Sequence, residues 1–316
     1  MAIFEVIHPG IFTTIQDLGR KGYQKYGLAV SGAADHYACR MANLLVANPD
    51  KSAVLEVTLF GLKLKARTPA VIAITGGDLT PTVNEKPVPM WTSINVSEGD
   101  VIHLKGTRSG CRAYLAAAGG IDVPIFLGSR STDTVGKVGG IEGRSLKKGD
   151  VLNIGTPSAD ARSGRRLSTS LIPEYPKEVD VRVILGPQAD AFTSKGMETF
   201  LSSDYKVSTK LDRMACRLEG LEVEHVDSAD IASEGNFLGA VQIPKNGLPI
   251  VFNVGRRSVG GYTKIAGVIT VDLPKLAQVK PGDTVRFHQV ELSDAHRWLR
   301  EQERTFKILQ SALRGG

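Results

Sequence analysis

The heptapeptide "KGDVLNI" (148–154) sets a Gly–Asp pair directly before a short strand-like run. Gly tolerates positive φ, and an Asp side chain bonds back to nearby backbone, so the pair makes a tight turn. The arrangement recurs as "EGDVIHL" (98–104) and "PGDTVRF" (281–287). A turn–strand unit repeated in both halves of the chain predicts two similar β units.

The surrounding sequence extends this reading. "LEVTLFGLKLKA" (55–66) alternates around Gly61 and predicts a hairpin or a bulge. "AVIAITGGD" (70–78), "RAYLAAAGG" (112–120), "VDVRVILG" (179–186), "GLPIVFNVG" (247–255) and "GVITVDL" (267–273) add further short strands. Many short strands separated by turn residues predict barrels or sandwiches. Helices are few. Residues 31–50 carry Ala34, Tyr37, Ala38, Met41, Ala42 and Leu45 at helical spacing, with Ser31 as a cap, Asp35 near the positive end and Asn48–Pro49 as the stop. Residues 293–314 place Trp298, Phe306, Leu309 and Leu313 on one face of a terminal helix. The polar, Ser- and Arg-rich stretch 155–176 reads as a linker or long surface loop. It divides the chain into expected subdomains at 1–165 and 175–316, the second including the terminal helix.

Composition narrows the function. The chain has 316 residues, and its 34 Gly are spread among short apolar runs, as many turns require. A net charge of +6 without a basic stripe and interleaved aromatics argues against nucleic acid and for solubility or attraction of an anionic ligand. Cys39, Cys111 and Cys216 are far apart in sequence and without CxxC or His clusters, so buried free thiols are expected and zinc is not. No signal-like or membrane-spanning run stands out, and a cytoplasmic protein is expected.

Polar residues gather where strands end. "TTIQDLGRKGY" (13–23) offers Asp17 and Arg20, and "LGSRST" (127–132) offers Arg130. "TKLDRMACRLEG" (209–220) holds Asp212, Arg213 and Arg217, and "ASEGNFLGAVQIPKNGLPI" (232–250) holds Glu234 and Gln242. "GYTKIA" (261–266) holds Tyr262 and Lys264. Each alone reads as a turn or a surface ion pair; together they outline a polar site on a rigid β scaffold. GxSxG, HExxH and paired CxxC are missing. Residues 255–261 fail as a phosphate loop, because Gly261 is followed by Tyr262 rather than by Lys and a hydroxyl residue.

Several long segments carry a resemblance. "GIFTTIQDLGRKGYQKYGLAVSGAADHYACRMANLLVAN", "AYLAAAGGIDVPIFLGSRST", "LDRMACRLEG", "SEGNFLGAVQIPKNGLPI" and "GGYTKIAGVITVDLPKLAQVKPGD" are together similar to the biotin-dependent carboxyltransferase-like family. That family takes in the C-type component of 5-oxoprolinase, allophanate hydrolase subunit 2 and the KipA-type protein. The likeness runs from about residue 10 to about 290. It implies a mainly β fold of two cyclophilin-like β-barrel subdomains with a few short helices and the C-terminal helix. It implies a companion subunit of related fold and a third, lactam-utilisation-type subunit. The implied activity is ATP-dependent hydrolysis of 5-oxoproline to glutamate, with ATP acting at the level of the complex. One alternative is transfer of carboxyl from carboxybiotin to a urea- or amide-type nitrogen, with biotin brought by another protein. The other is a KipA-type regulator that antagonises a kinase inhibitor.

On this resemblance Arg213, Arg217 and Lys264 form a cationic set, and Glu234 or Asp212 handles the proton. Gln242 and Tyr262 hydrogen-bond the amide, with Arg130 as a further substrate contact. Relatives carry "D-x-Q-T-T-G-G-Y-P-K-I" where this chain has Gly255, Arg257, Ser258 and Val259 before Gly260–Gly261–Tyr262. An acid and an amide are replaced by a Gly and an Arg.

Overall fold

The computed structural model describes residues 2–314; residue 1 and residues 315–316, the outer ends of the two expected subdomains, lie outside the described residues. The chain is mainly β. It divides into two compact units. The first takes the chain up to Lys21, Ser31–Tyr175 and the residues from Leu309 on; the second takes Gly22–Val30 and Pro176–Ile308.

The three Gly–Asp turns share one geometry. Gly99, Gly149 and Gly282 have φ of 88°, 89° and 90°. Asp100, Asp150 and Asp283 each accept a backbone N–H from three residues upstream, at 2.8, 2.7 and 2.8 Å. Each turn then feeds a strand: Val101–Leu104, Val151–Ile154 and Thr284–Gln289.

In the first unit a seven-stranded sheet runs in the order Ile121–Asp122, Val151–Ile154, Ala2–Pro9, Leu62–Ala66, Val101–Leu104, Pro81–Val83, Lys86–Pro87. A five-stranded sheet runs Phe12–Gln16, Val54–Thr58, Ser109–Ala117, Ala70–Asp78, Ser93–Val96. One apolar cluster draws on both, with Phe4, Val6, Leu62 and Leu64 from one sheet and Ile15, Leu55, Ile72 and Leu115 from the other. The expected hairpin at Gly61 is therefore a corner: the strand before it belongs to one sheet and the strand after it to the other. Gly61 has φ of 96°, and a Cβ there would come within 3.2 Å of the Cα of Gly10, where the chain makes the same crossing after Pro9.

The internal helix is shorter than its periodicity suggests, His36–Leu45. Its cap is Asp35, whose carboxylate accepts Ala38 N–H at 2.8 Å. Ser31 has φ of 54° and Gly32 of 90°, so the backbone before Asp35 is not helical. The polar stretch after residue 155 is tied down: Gly164 and Leu167 donate backbone N–H groups to the carbonyls of Ser93 and Trp91. Cys39, Cys111 and Cys216 are buried thiols outside any disulfide among the described residues, as their spacing predicts.

The second unit is a closed barrel of seven strands, in the order Glu178–Leu185, Lys264–Val268, Ala240–Gln242, Ile250–Phe252, Ala215–Glu219, Tyr205–Val207, Thr284–Gln289. It closes through a parallel pairing of the first and last, from Glu178↔Thr284 to Val183↔Gln289. Val181, Val183, Val241, Val251, Val285 and Phe287 fill the interior, with Phe200 stacked on Phe287 at 4.6 Å. A separate two-stranded ribbon pairs Asp230–Gly235 with Val259–Tyr262. The terminal helix is Leu292–Arg314; near its start the Trp298 ring lies 4.1 Å from the Arg182 guanidinium. Among the described residues no helix is long and apolar enough to cross a membrane.

A Cβ on Gly282 would meet no heavy atom within 4 Å, so its substitution isolates the backbone cost of the turn. Gly282→Ala is expected to destabilise the protein by about 1 kcal/mol, read as a lower urea midpoint at unchanged slope.

Candidate functional site

Register across the barrel wall explains which side chains leave the core. Val241 pairs with Val251, and Val251 with Cys216, all fully buried in the apolar cluster. The next row, Gln242↔Ile250↔Arg217, therefore points to the other face. A bulge after Val241 brings Lys264 opposite Gln242. Lys264 and Gln242 are nonetheless only 1% and 2% exposed, although neither belongs to the apolar cluster.

The ribbon supplies their partners. Glu234 Oε1 accepts Lys264 Nζ at 2.6 Å and Gln188 Nε2 at 3.0 Å. Gln188 Oε1 in turn accepts the backbone N–H of Lys264 at 3.1 Å. The two bonds, from Lys264 first and Gln188 second, hold the Glu234 carboxyl below its ordinary value. Both bonds land on Oε1, and the Glu234 side chain stays 43% exposed. The ammonium is thus enclosed while the carboxylate reaches solvent.

Beside this pair lies an amide cluster. Gln242 Nε2 donates to Asn236 Oδ1 at 3.2 Å and to the Tyr262 carbonyl at 3.3 Å. A Cβ on Gly260 would lie 2.7 Å from Asn236 Nδ2 and 2.8 Å from Gln242 Nε2, so a larger residue would have to displace these amides. Arg256 Nε donates to the Asn236 carbonyl at 3.3 Å, and burial lowers its guanidinium. Tyr262, 38% exposed, sits at the end of the ribbon strand.

Of the residues singled out from sequence, Lys264, Glu234 and Gln242 are thus brought together, and Tyr262 joins them through its backbone carbonyl. Arg217 lies on the same row two strands from Gln242, roughly 10 Å away at ordinary strand spacing. It is exposed and lines a shallow cavity of about 320 Å³ with Lys210, Glu219 and Asn246. Arg213 is half-buried, and burial lowers its guanidinium. The Asp212 carboxylate holds its own turn, accepting Met214 N–H at 2.7 Å and Ala215 N–H at 2.9 Å. Arg130 belongs to the first unit, where Nε bonds the Val123 carbonyl at 2.9 Å and Nη2 bonds Asp122 at 3.2 Å. Two motifs meet there: Asp17 accepts Gly19 N–H at 2.8 Å and the Ser129 hydroxyl at 2.7 Å, and also takes Ser131 Oγ. Among the described residues no three His, Cys, Asp or Glu side chains form a metal-sized group.

Residues 26–289 match the family described as "Carboxyltransferase domain, subdomain A and B". The chain belongs to that family. This carboxyltransferase-domain chain is 35% identical over 309 residues to the C-type component of 5-oxoprolinase from Escherichia coli (strain K12), covering 97% of each. It is 35% identical to the urea amidolyase of Lachancea kluyveri, covering 97% of this chain and 18% of that protein. The crystal structure of the K. lactis urea amidolyase superposes with a TM-score of 0.92 at 33% identity, covering 98% of this chain and 20% of that one.

Sequence reasoning missed Gln188 and Asn236. Gln188 is 76 residues from Lys264, and its only local signal is the Gly186–Pro187 turn that ends a barrel strand. Asn236 lies inside the "SEGNF" segment, two residues past the acid that drew attention.

A carboxyl held low in the fold stabilises above its unfolded value, here near 4.5, and that contribution is lost as pH falls through the depressed folded value. The stability gap between wild type and Glu234→Gln is therefore expected to be full at neutral pH and to close below about pH 4.5. Urea unfolding of both proteins across pH 3–7 measures it.

Proposed function

We propose that the chain is the C-type component of an ATP-dependent complex that hydrolyses 5-oxoproline to glutamate. One observation carries the reading: a buried lysine, a half-exposed glutamate and the three amides of Gln188, Gln242 and Asn236 gather on one barrel face. The alignment along 97% of the corresponding E. coli 5-oxoprolinase component supports the assignment.

The chemistry follows from what these groups do well. A lactam resists attack because nitrogen donates into its carbonyl, and the barrier falls when a fixed cation stabilises charge developing on oxygen. Lys264 supplies that cation, with Arg213 and Arg217 extending the positive field toward an anionic substrate. Glu234, ionised at neutral pH, accepts a proton through its exposed oxygen. This role falls to Glu234, which is bonded to Lys264, rather than to Asp212, whose bonds go to its own turn. Gln242 and Tyr262 orient the amide. Arg130, engaged by Val123 and Asp122 in the first unit, is given no part in this cluster.

ATP would supply the phosphoryl group that makes the lactam carbon open to water. The residues here do not fit a phosphate cradle. Gly260 and Gly261 sit in a strand ribbon rather than ahead of a helix, and the lysine that follows is paired with Glu234. ATP is accordingly assigned to the companion subunits, one of related fold and one of the lactam-utilisation type.

The superposition on urea amidolyase supports a second reading, carboxyl transfer to a urea-type nitrogen with biotin on a separate carrier. Reconstitution with the companion subunits separates the two. Release of glutamate from 5-oxoproline with ATP is expected, and Lys264→Met is expected to lower it by about a hundredfold or more while the complex still assembles. Turnover of urea with carboxybiotin in its place favours the second reading. A Lys264→Met complex at the wild-type rate removes the role given to that lysine.

A further inference from the structure

The first unit holds a cavity of about 340 Å³ outside the polar clusters described above. Leu44, Pro49 and Leu313 give it apolar walls, and Arg165 contributes a guanidinium. Arg165 is only 7% exposed. Its Nη2 donates to the Leu313 carbonyl at 2.7 Å, but among the described residues its buried Nε and Nη1 have no hydrogen-bond partner. A guanidinium keeps its charge under all ordinary conditions, so buried N–H groups left unpaired are costly. Gln310 and the Asp160 carboxylate also line the wall, while its remaining polar side chains are engaged. Asn48 is held by Asn43, the Ala117 carbonyl and Gly119 N–H, and Ser158 Oγ accepts Asp160 N–H.

We propose that this cavity binds a small organic monocarboxylate, its carboxylate paired with Arg165 and its hydrocarbon part resting on Leu44, Pro49 and Leu313. The size is at the lower end for a ligand cavity, and a mostly apolar wall with one fixed charge selects an anion with an apolar body. Two features limit that anion to one charge. Asp160 lines the cavity as well, and the last turn of helix Leu292–Arg314 presents its negative end there. A dianion would meet both.

Calorimetric titration of the full-length protein at pH 7 in low-chloride buffer tests this, with hexanoate, 1-hexanol and inorganic phosphate as probes. Saturable binding of hexanoate is expected, with hexanol silent and phosphate weaker by about tenfold or more. Arg165→Gln is expected to weaken hexanoate by about tenfold or more. Leu313→Trp fills the cavity but keeps the backbone carbonyl that Arg165 holds, and it is expected to abolish binding; it decides the matter if Arg165→Gln fails to fold. Absence of saturable hexanoate binding overturns the proposal and leaves Arg165 as a clamp on the helix end. Phosphate binding as tight as hexanoate, or binding unchanged in Leu313→Trp, overturns it too.

Discussion

A lysine ammonium that is 1% exposed in a barrel wall must be paired, and much of the second unit follows from that requirement. The partner, Glu234, is not on the barrel but on the ribbon that stands over it. The ribbon strand Val259–Tyr262 runs into the barrel strand Lys264–Val268 with only Thr263 between them. The ion pair therefore stitches the ribbon back onto the strand it grows from. Gly260 lets the two amide side chains approach, and Gln188 reaches both members of the pair. The desolvation cost falls on Lys264, while Glu234 keeps an edge in water. That asymmetry suits the proton-accepting role proposed for Glu234.

Much of this was legible in the sequence, for identifiable reasons. The Gly–Asp turns were readable because their chemistry is local: one residue supplies the positive φ and the next bonds three residues back. Lys264 and Glu234 stood out as charged residues bordering apolar strand segments. The corner at Gly61 was not readable, since hairpin and corner have the same alternation and differ only in which sheet accepts the second strand. The capping role of Asp35 was partly visible, but the positive φ of Ser31 was not. Gln188 was hidden because its role depends on a pairing 46 residues away.

The loop before the ribbon strand Val259–Tyr262 is held at several points. Asn236 donates its backbone N–H to the Ser258 carbonyl at 2.8 Å, and Arg256 bonds back to the Asn236 carbonyl. Backbone groups and a buried arginine thus anchor residues 255–258. Gly255 lies against the Arg213 backbone, where a Cβ would come within 3.0 Å of the Arg213 carbonyl.

The central claim is that Lys264 and Glu234 work as one unit. A double-mutant cycle on the turnover of the reconstituted complex tests it most directly, using Lys264→Met, Glu234→Gln and the double variant. The double variant is predicted to lose no more activity than the more damaged single variant. Losses that multiply would show two independent contributions and would contradict the claim.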